Sequence, residues 1–157
     1  MFANFQPQLV EPELKPYPLV RDFMHRGFVA VHASDDIFKA MALLVQNSIS
    51  GAPVVDAEGH LVGMLSEKDC LRVITQEAYH HELSGGPVAC YMTGQPLFAR
   101  DYSGLLHVAD LFLQHPFRKI PVLDEQERLV GIVRRRDVLR VLLEHEQAKE
   151  QNYRAEP

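Results

Sequence analysis

Cysteine is scarce in this chain: there are two in 157 residues, Cys70 and Cys90, and they form no CxxC pair. A disulfide framework is therefore excluded, and a reducing cytoplasm is the expected compartment. Long apolar runs are missing. None approaches the roughly 20 residues that span a bilayer, so no membrane partner is expected. The first 30 residues carry carboxylates and prolines but no continuous apolar stretch, which is not a secretory signal. Positive charge is in deficit, with 16 Lys and Arg against 21 Asp and Glu and a net charge of −5. That argues against general attraction to nucleic acid. Metal-binding and catalytic signatures are also wanting. Of the eight histidines, the densest cluster is His80-His81 beside Glu77 and Glu82. Adjacent residues on a helix point about 100° apart, and there is no HExxH or Cys/His pattern, so no metal ligand is assigned. Ser66 has no histidine partner at a telling spacing, and Cys70 falls on an apolar helix stripe. No catalytic residue is assigned, and the chain is not read as an enzyme.

What is present is a repeat. Residues Val20–Val73 recur without a gap as Val88–Val141, and 14 of the 54 paired positions are identical. The matches include Met24/Met92, Pro53/Pro121, Val54/Val122, Asp56/Asp124, Gly63/Gly131 and Asp69/Asp137. A fixed period means one structural unit used twice. Units of about 55 residues are near the lower limit for an independent core, so the two halves are expected to share one. A composition of 46% hydrophobic and 24% charged residues fits a soluble globular protein. Two similar halves packed together leave a cleft between them, and a function is expected there.

The division read from the sequence is a proline-rich extended arm over 1–19, repeat 1 over 20–82, repeat 2 over 83–145 and a polar tail over 146–157, with a frayed helix end from Glu144. In repeat 1, 28–32 reads as a strand and Ser34 as the N-cap of a helix whose apolar face is Ile37, Ala40, Met41, Leu44 and Val45. Ser50-Gly51 stops it. Residues 52–56 and 61–65 form a hairpin around Gly59. Ser66 caps a second helix with Asp69 in a capping-box position, and Cys70, Leu71, Ile74 and Ala78 form its stripe. Repeat 2 copies this as 97–99, 103–115, 120–124, 129–133 and a helix from about Arg135. Leu105, Val108, Ala109, Phe112 and Leu113 form the face of its first helix.

The segment Gly63-Met64-Leu65-Ser66-Glu67-Lys68-Asp69 leaves a strand and enters a helix. Ser66 offers a hydroxyl beside the free N–H groups of the helix start, a place suited to phosphate. Asp69 can accept two hydrogen bonds, as a ribose diol would offer. Simple capping of the helix explains the same pair equally well.

Three features together carry a family resemblance. They are the strand–helix–strand–strand–helix order used twice, the Ser50-Gly51-Ala52-Pro53-Val54-Val55-Asp56 hairpin, and Gly63-x-x-Ser66-x-x-Asp69. Over roughly 20–141 the chain resembles a tandem pair of CBS domains, named for cystathionine β-synthase. The resemblance implies a mixed α/β (α+β) fold in which two β-α-β-β-α repeats pack pseudo-symmetrically into one module, commonly a disc-like homodimer. It also implies two clefts that take adenosine-type nucleotides such as AMP, ADP, ATP or S-adenosylmethionine, with no cofactor required.

Carried over residue by residue, the first cleft joins Met64, Ser66 and Asp69 to Pro96, Leu97, Phe117, Arg118 and Lys119. Leu97, Phe117 and Met64 would sandwich a purine, Asp69 would hold the ribose, and Ser66, Arg118 and Lys119 would meet phosphate. The second cleft joins Ile132, Arg134 and Asp137 to Phe28, Val29, Ile49 and Ser50. There Arg134 replaces the expected Ser or Thr. Arginine is a poor N-cap at the positive end of a helix, so a phosphate-rich ligand, nearby carboxylates or water must offset the Arg134-Arg135-Arg136 run; Arg134 filling the cleft is a further option. The function expected is a regulatory ligand-sensing module that signals occupancy to an unidentified effector protein. The competing expectation is a ligand-free dimerisation module.

Overall fold

The computed structural model describes residues 16–80 and 85–155, and no side chains over 77–80. The arm before Pro16, His81 and Glu82, and the side chains of Glu77, Ala78 and His80 lie outside what is described.

Each repeat begins with a short helical turn, followed by a strand, a helix and a hairpin, and ends in a helix. In repeat 1 these are α1 (Val20–Phe23), β1 (Val31–His32), α2 (Ile37–Gln46), β2 (Gly51–Val55), β3 (Leu61–Ser66), α3 (Glu67–Cys70) and α4 (Arg72–His80). In repeat 2 a 3-10 turn (Val88–Cys90) precedes β4 (Thr93–Gly94), β5 (Ala99–Arg100), α5 (Leu105–Gln114), β6 (Lys119–Leu123), β7 (Leu129–Arg134) and α6 (Arg135–Ala155). β1 runs parallel to β2 and β5 parallel to β6, while both hairpins are antiparallel.

The expectation of a single shared core is corrected. Among the described residues there are two, and each borrows from the other repeat. Val31, Ile37, Ala40, Leu44, Val54 and Leu65 of repeat 1 close over Val88 and Tyr91 of repeat 2. Leu105, Val108, Ile120, Val122 and Val133 of repeat 2 close over Val20, Phe23 and Met24 of repeat 1. The strand pairing is exchanged in the same way. β4 adds to the edge of β3 through Met64↔Thr93, and reciprocally His25 pairs with Ile132 by N–H···O=C bonds of 2.9 and 3.0 Å. The exchange accounts for two of the sequence identities. A Cβ on Gly63 would stand 2.6 Å from Met92 Sδ, and one on Gly131 would stand 2.5 Å from Met24 Sδ. Each methionine therefore needs the other repeat's glycine to let it lie on the strand.

Several local expectations are corrected. Asp36, not Ser34, caps α2 by accepting from Phe38 N; Asp35 is turned back onto His32 N at 3.0 Å, which places Asp36 at the helix mouth. α2 ends at Gln46, four residues before Ser50-Gly51, with Ser48 in the left-handed region at φ 52. The strand over 28–32 is only Val31–His32, and that over 97–99 is Ala99–Arg100. α5 starts at Leu105 behind Gly104 rather than at Ser103. The stripes are narrower than their periodicity suggests: Val45, Leu71, Ile74 and Leu113 are exposed, while Val73 is buried. The residues from Glu144 do not fray but continue α6 to Ala155, with Lys149 Nζ 2.8 Å from Glu146 Oε1. Among the described residues no helix is long and apolar enough to cross a membrane.

Candidate functional site

Where β3 runs into α3, the chain faces the 93–97 and 116–119 segments of repeat 2 across a cleft of about 750 Å³. Met64, Ser66, Asp69, Pro96, Leu97, Phe117, Arg118 and Lys119 all line it. Ser50, assigned from the sequence to the other cleft, lines this one as well.

Ser66 and Asp69 form the reciprocal cap that the spacing predicts. Ser66 Oγ accepts from Asp69 N at 3.1 Å, and Asp69 Oδ2 accepts from Ser66 N and Ser66 Oγ, both at 2.9 Å. The second oxygen of Asp69 is differently placed. Among the described residues Oδ1 takes no hydrogen bond and has only the Arg72 guanidinium at 3.6 Å. A carboxylate oxygen in that state retains acceptor capacity. Asp69 is buried and lines the cleft, so what it still offers is little diluted by bulk water. Opposite, Phe117 is about half exposed and stacks on His115 with ring centroids 6.0 Å apart. Lys119 is half-buried and donates to Gly51 O at 2.7 Å. Burial, and secondarily the charge of Arg134, hold its ammonium below the usual lysine range. The lining thus combines apolar Met64, Leu97 and Phe117 with the carboxylate of Asp69 and the cations of Arg72, Arg118 and Lys119.

The corresponding place in repeat 2 is built from the same backbone but different donors. Asp137 is 3% exposed and is met on both oxygens. Oδ2 accepts from Arg134 N at 2.8 Å and Arg134 Nε at 3.1 Å. Oδ1 accepts from the Arg134 terminal nitrogen at 3.1 Å and lies 2.8 Å from His25 Nε2. That ring nitrogen is also 2.6 Å from the guanidinium; it donates to Asp137 or accepts from Arg134 according to its tautomer, not both. Burial would push the Asp137 carboxyl up, but the Arg134 and His25 bonds outweigh it and hold the group below the usual aspartate range. The same bond pushes the Arg134 guanidinium up. The arginine in the capping position is thus offset by its own helix's aspartate, one of the options its sequence left open. Ile132 joins this cluster through its pairing with His25. Phe28, Val29 and Ile49 are half-buried, and no bond ties them to Asp137.

The family model described as CBS domain matches residues 20–76 and again 88–144. The chain belongs to the CBS domain family. Among curated CBS relatives is the chloroplastic CBS domain-containing protein CBSX2 of Arabidopsis thaliana, 30% identical over 151 residues, covering 80% of this chain and 63% of the relative. The first curated relatives are longer proteins, of which this chain spans less than two thirds. Among solved structures, CBSX2 in complex with AMP superposes with a TM-score of 0.71 at 34% identity, over 82% of this chain and 98% of that one. The CBS pair of protein MJ0100, in complex with 5-methylthioadenosine and S-adenosyl-L-methionine, gives 0.67 at 27% identity, over 81% and 97%.

Within this CBS pair, sequence reasoning missed Arg72, Thr93 and Gln95, which also line the cleft. Arg72 carried a usable signal, since it sits one helical turn beyond Asp69 and recurs as Arg140. Thr93 carried none, because it reaches the cleft only through the exchange of strands between the repeats.

Proposed function

We propose that this CBS pair binds an adenosine-type nucleotide in the Asp69 cleft and reports its occupancy to an effector protein. The carrying observation is the cleft itself. The unfilled Oδ1 of buried Asp69 suits a ribose diol, Leu97, Met64 and Phe117 suit a purine, and Arg118 and Lys119 suit phosphate. Binding of AMP by CBSX2 and of methylthioadenosine and S-adenosylmethionine by MJ0100 supports the same ligand class. The regulatory logic is linkage. A ligand held by both repeats favours the arrangement in which they fit, and a partner sensitive to that arrangement responds. No catalytic step is assigned, and the free thiols of Cys70 and Cys90 suit a reducing cytoplasm.

Calorimetric titration with AMP, ATP and S-adenosylmethionine tests the reading. Asp69→Ala is expected to weaken binding by roughly 10- to 100-fold, the value of a hydrogen bond to a charged group. No heat with any of the three compounds overturns it.

A homodimer accompanies this reading. Leu71 and Leu139 occupy matching positions of the two repeats, as do Ile74 and Leu142, and all four are partly or largely exposed. Apolar positions repeated about a pseudo-twofold suit a second copy of the same surface. Ligand-free dimerisation is the alternative function. The two part on whether thermal stability rises with nucleotide concentration.

A further inference from the structure

We infer that Arg134 and His25 determine the ligand stoichiometry of the pair: they hold the second cleft shut to nucleosides, so that each chain takes one adenosine compound rather than two. The inference rests on the reading of the first cleft as an adenosine site and adds to it what the second cleft does.

The two aspartates sit at the same position of the same motif, and the bond inventory separates them. A carboxylate has about four lone-pair sites. Asp137 has three of them filled by Arg134, through its backbone N–H and two guanidinium nitrogens, and His25 Nε2 stands at the fourth at 2.8 Å. Asp69 has two filled, both by Ser66 and both on Oδ2. A ribose diol entering the second cleft would have to displace a bidentate, charge-assisted arginine bond from a nearly fully buried acceptor. In the first cleft it meets an acceptor with room. His25 is not an incidental neighbour. It occupies the position that Thr93 occupies at the first cleft, just as Arg134 occupies that of Ser66. Both departures from the first cleft bring a side-chain nitrogen within 3.1 Å of the same carboxylate.

A second difference acts in the same direction and does not involve the carboxylate. Where the first cleft has Phe117, Arg118 and Lys119, the second has Ile49, Ser50 and Gly51. Ser50 and Gly51 line the first cleft, and Lys119 donates to Gly51 O across the boundary between the repeats. The segment that would furnish the second cleft with an aromatic ring and two cations has neither.

The test counts bound molecules per chain by native mass spectrometry during titration with AMP and, separately, with adenosine. The wild-type chain is expected to take one AMP, and Asp69→Ala to take it only at roughly 10- to 100-fold higher concentration. Arg134→Ser restores the Ser-x-x-Asp cap that repeat 1 already folds with, and it is expected to raise the count to two with at least one of the probes. His25→Thr/Arg134→Ser, which removes both nitrogens that stand at Oδ1 of Asp137, is expected to do the same. Adding Asp137→Ala to either variant should return the count to one. Two molecules on the wild-type chain, with one lost in Asp137→Ala, overturns the inference. So does failure of both variants to gain a molecule. A wild-type chain that takes none, while Arg134→Ser takes one that Asp137→Ala removes, refutes the adenosine reading of the first cleft and leaves the closure of the second standing.

Discussion

The two repeats use one backbone plan and diverge where side chains meet the cleft. Repeat 1 ends β3 in Ser66, whose short hydroxyl caps the helix and leaves one oxygen of Asp69 available. Repeat 2 ends β7 in Arg134, whose guanidinium reaches the equivalent Asp137 and fills it. The cores diverge in a different way, by volume. In repeat 1 a buried Ala52 faces a buried Leu65 across the hairpin, and in repeat 2 a buried Ile120 faces Val133. Isoleucine is as large as leucine and valine only one carbon smaller, so the repeat 2 pair fills about two side-chain carbons more, and each core is packed to its own pair. A volume change of that kind is absorbed inside a repeat, whereas a changed cleft donor alters what the site can accept.

The largest effect should come from emptying the larger of these pairs. Ile120→Ala leaves a void beside Val133 and is expected to cost about 2–5 kcal/mol. Adding Val133→Leu, which rebuilds the repeat 1 pairing, returns only part of the volume removed and should recover a minor part of the loss. Chemical denaturation of the single and double variants measures both, and an unchanged double variant would show that the two strands do not exchange volume. The glycines on which the opposite methionines rest come next. Gly63→Ala places a Cβ 2.9 Å from Thr93 O, a backbone atom, besides the Met92 sulfur. Gly131→Ala meets mainly the flexible Met24 side chain, with His25 O at 3.2 Å. Overpacking of this kind costs about 1–3 kcal/mol. Gly63→Ala is expected toward the top of that range and Gly131→Ala toward the bottom, read as melting temperatures. A loss in the same range concerns the carboxylates. Asp137→Asn breaks charge-assisted bonds to Arg134 and is expected to destabilise by about 1–3 kcal/mol at neutral pH. Its pH dependence follows from the depressed Asp137 ionisation. That stabilisation is present above the unfolded value of about 3.9 and lost as pH falls through the lower folded value. The wild type and Asp137→Asn should therefore converge in melting temperature as the solution is acidified, and a gap that widens instead would contradict the assignment.

How far the sequence reached depends on how local each feature is. The Ser66–Asp69 cap spans three residues and is a matter of side-chain reach, so its spacing was sufficient to read it. The first hairpin was legible from Gly59, which takes the left-handed φ of 85 its turn requires, and the second as its copy, where Glu127 stands in the same place at φ 63. The eight residues transferred onto one cleft do line one cleft, because motif position and fold go together. The α2 cap went to Ser34 because both Ser34 and Asp36 are good caps and only the turn at Asp35 decides between them. Periodicity marked Leu71 and Ile74 as apolar but could not say whether their own chain covers them. The Arg134 lock was half visible. An arginine at a capping position was evidently odd, but its second partner, His25, lies 109 residues away and arrives only through the exchanged strand.

That exchange also constrains the order in which the molecule can be completed. A nascent chain emerging from the ribosome cannot seal its first core when the last residue of α4 appears, because Val88 and Tyr91 are still inside the exit tunnel. Meanwhile Val20 and Phe23, made first, wait for partners as late as Val141. A gene truncated between the repeats would yield a polypeptide with one core lacking its lid and a lid lacking its core.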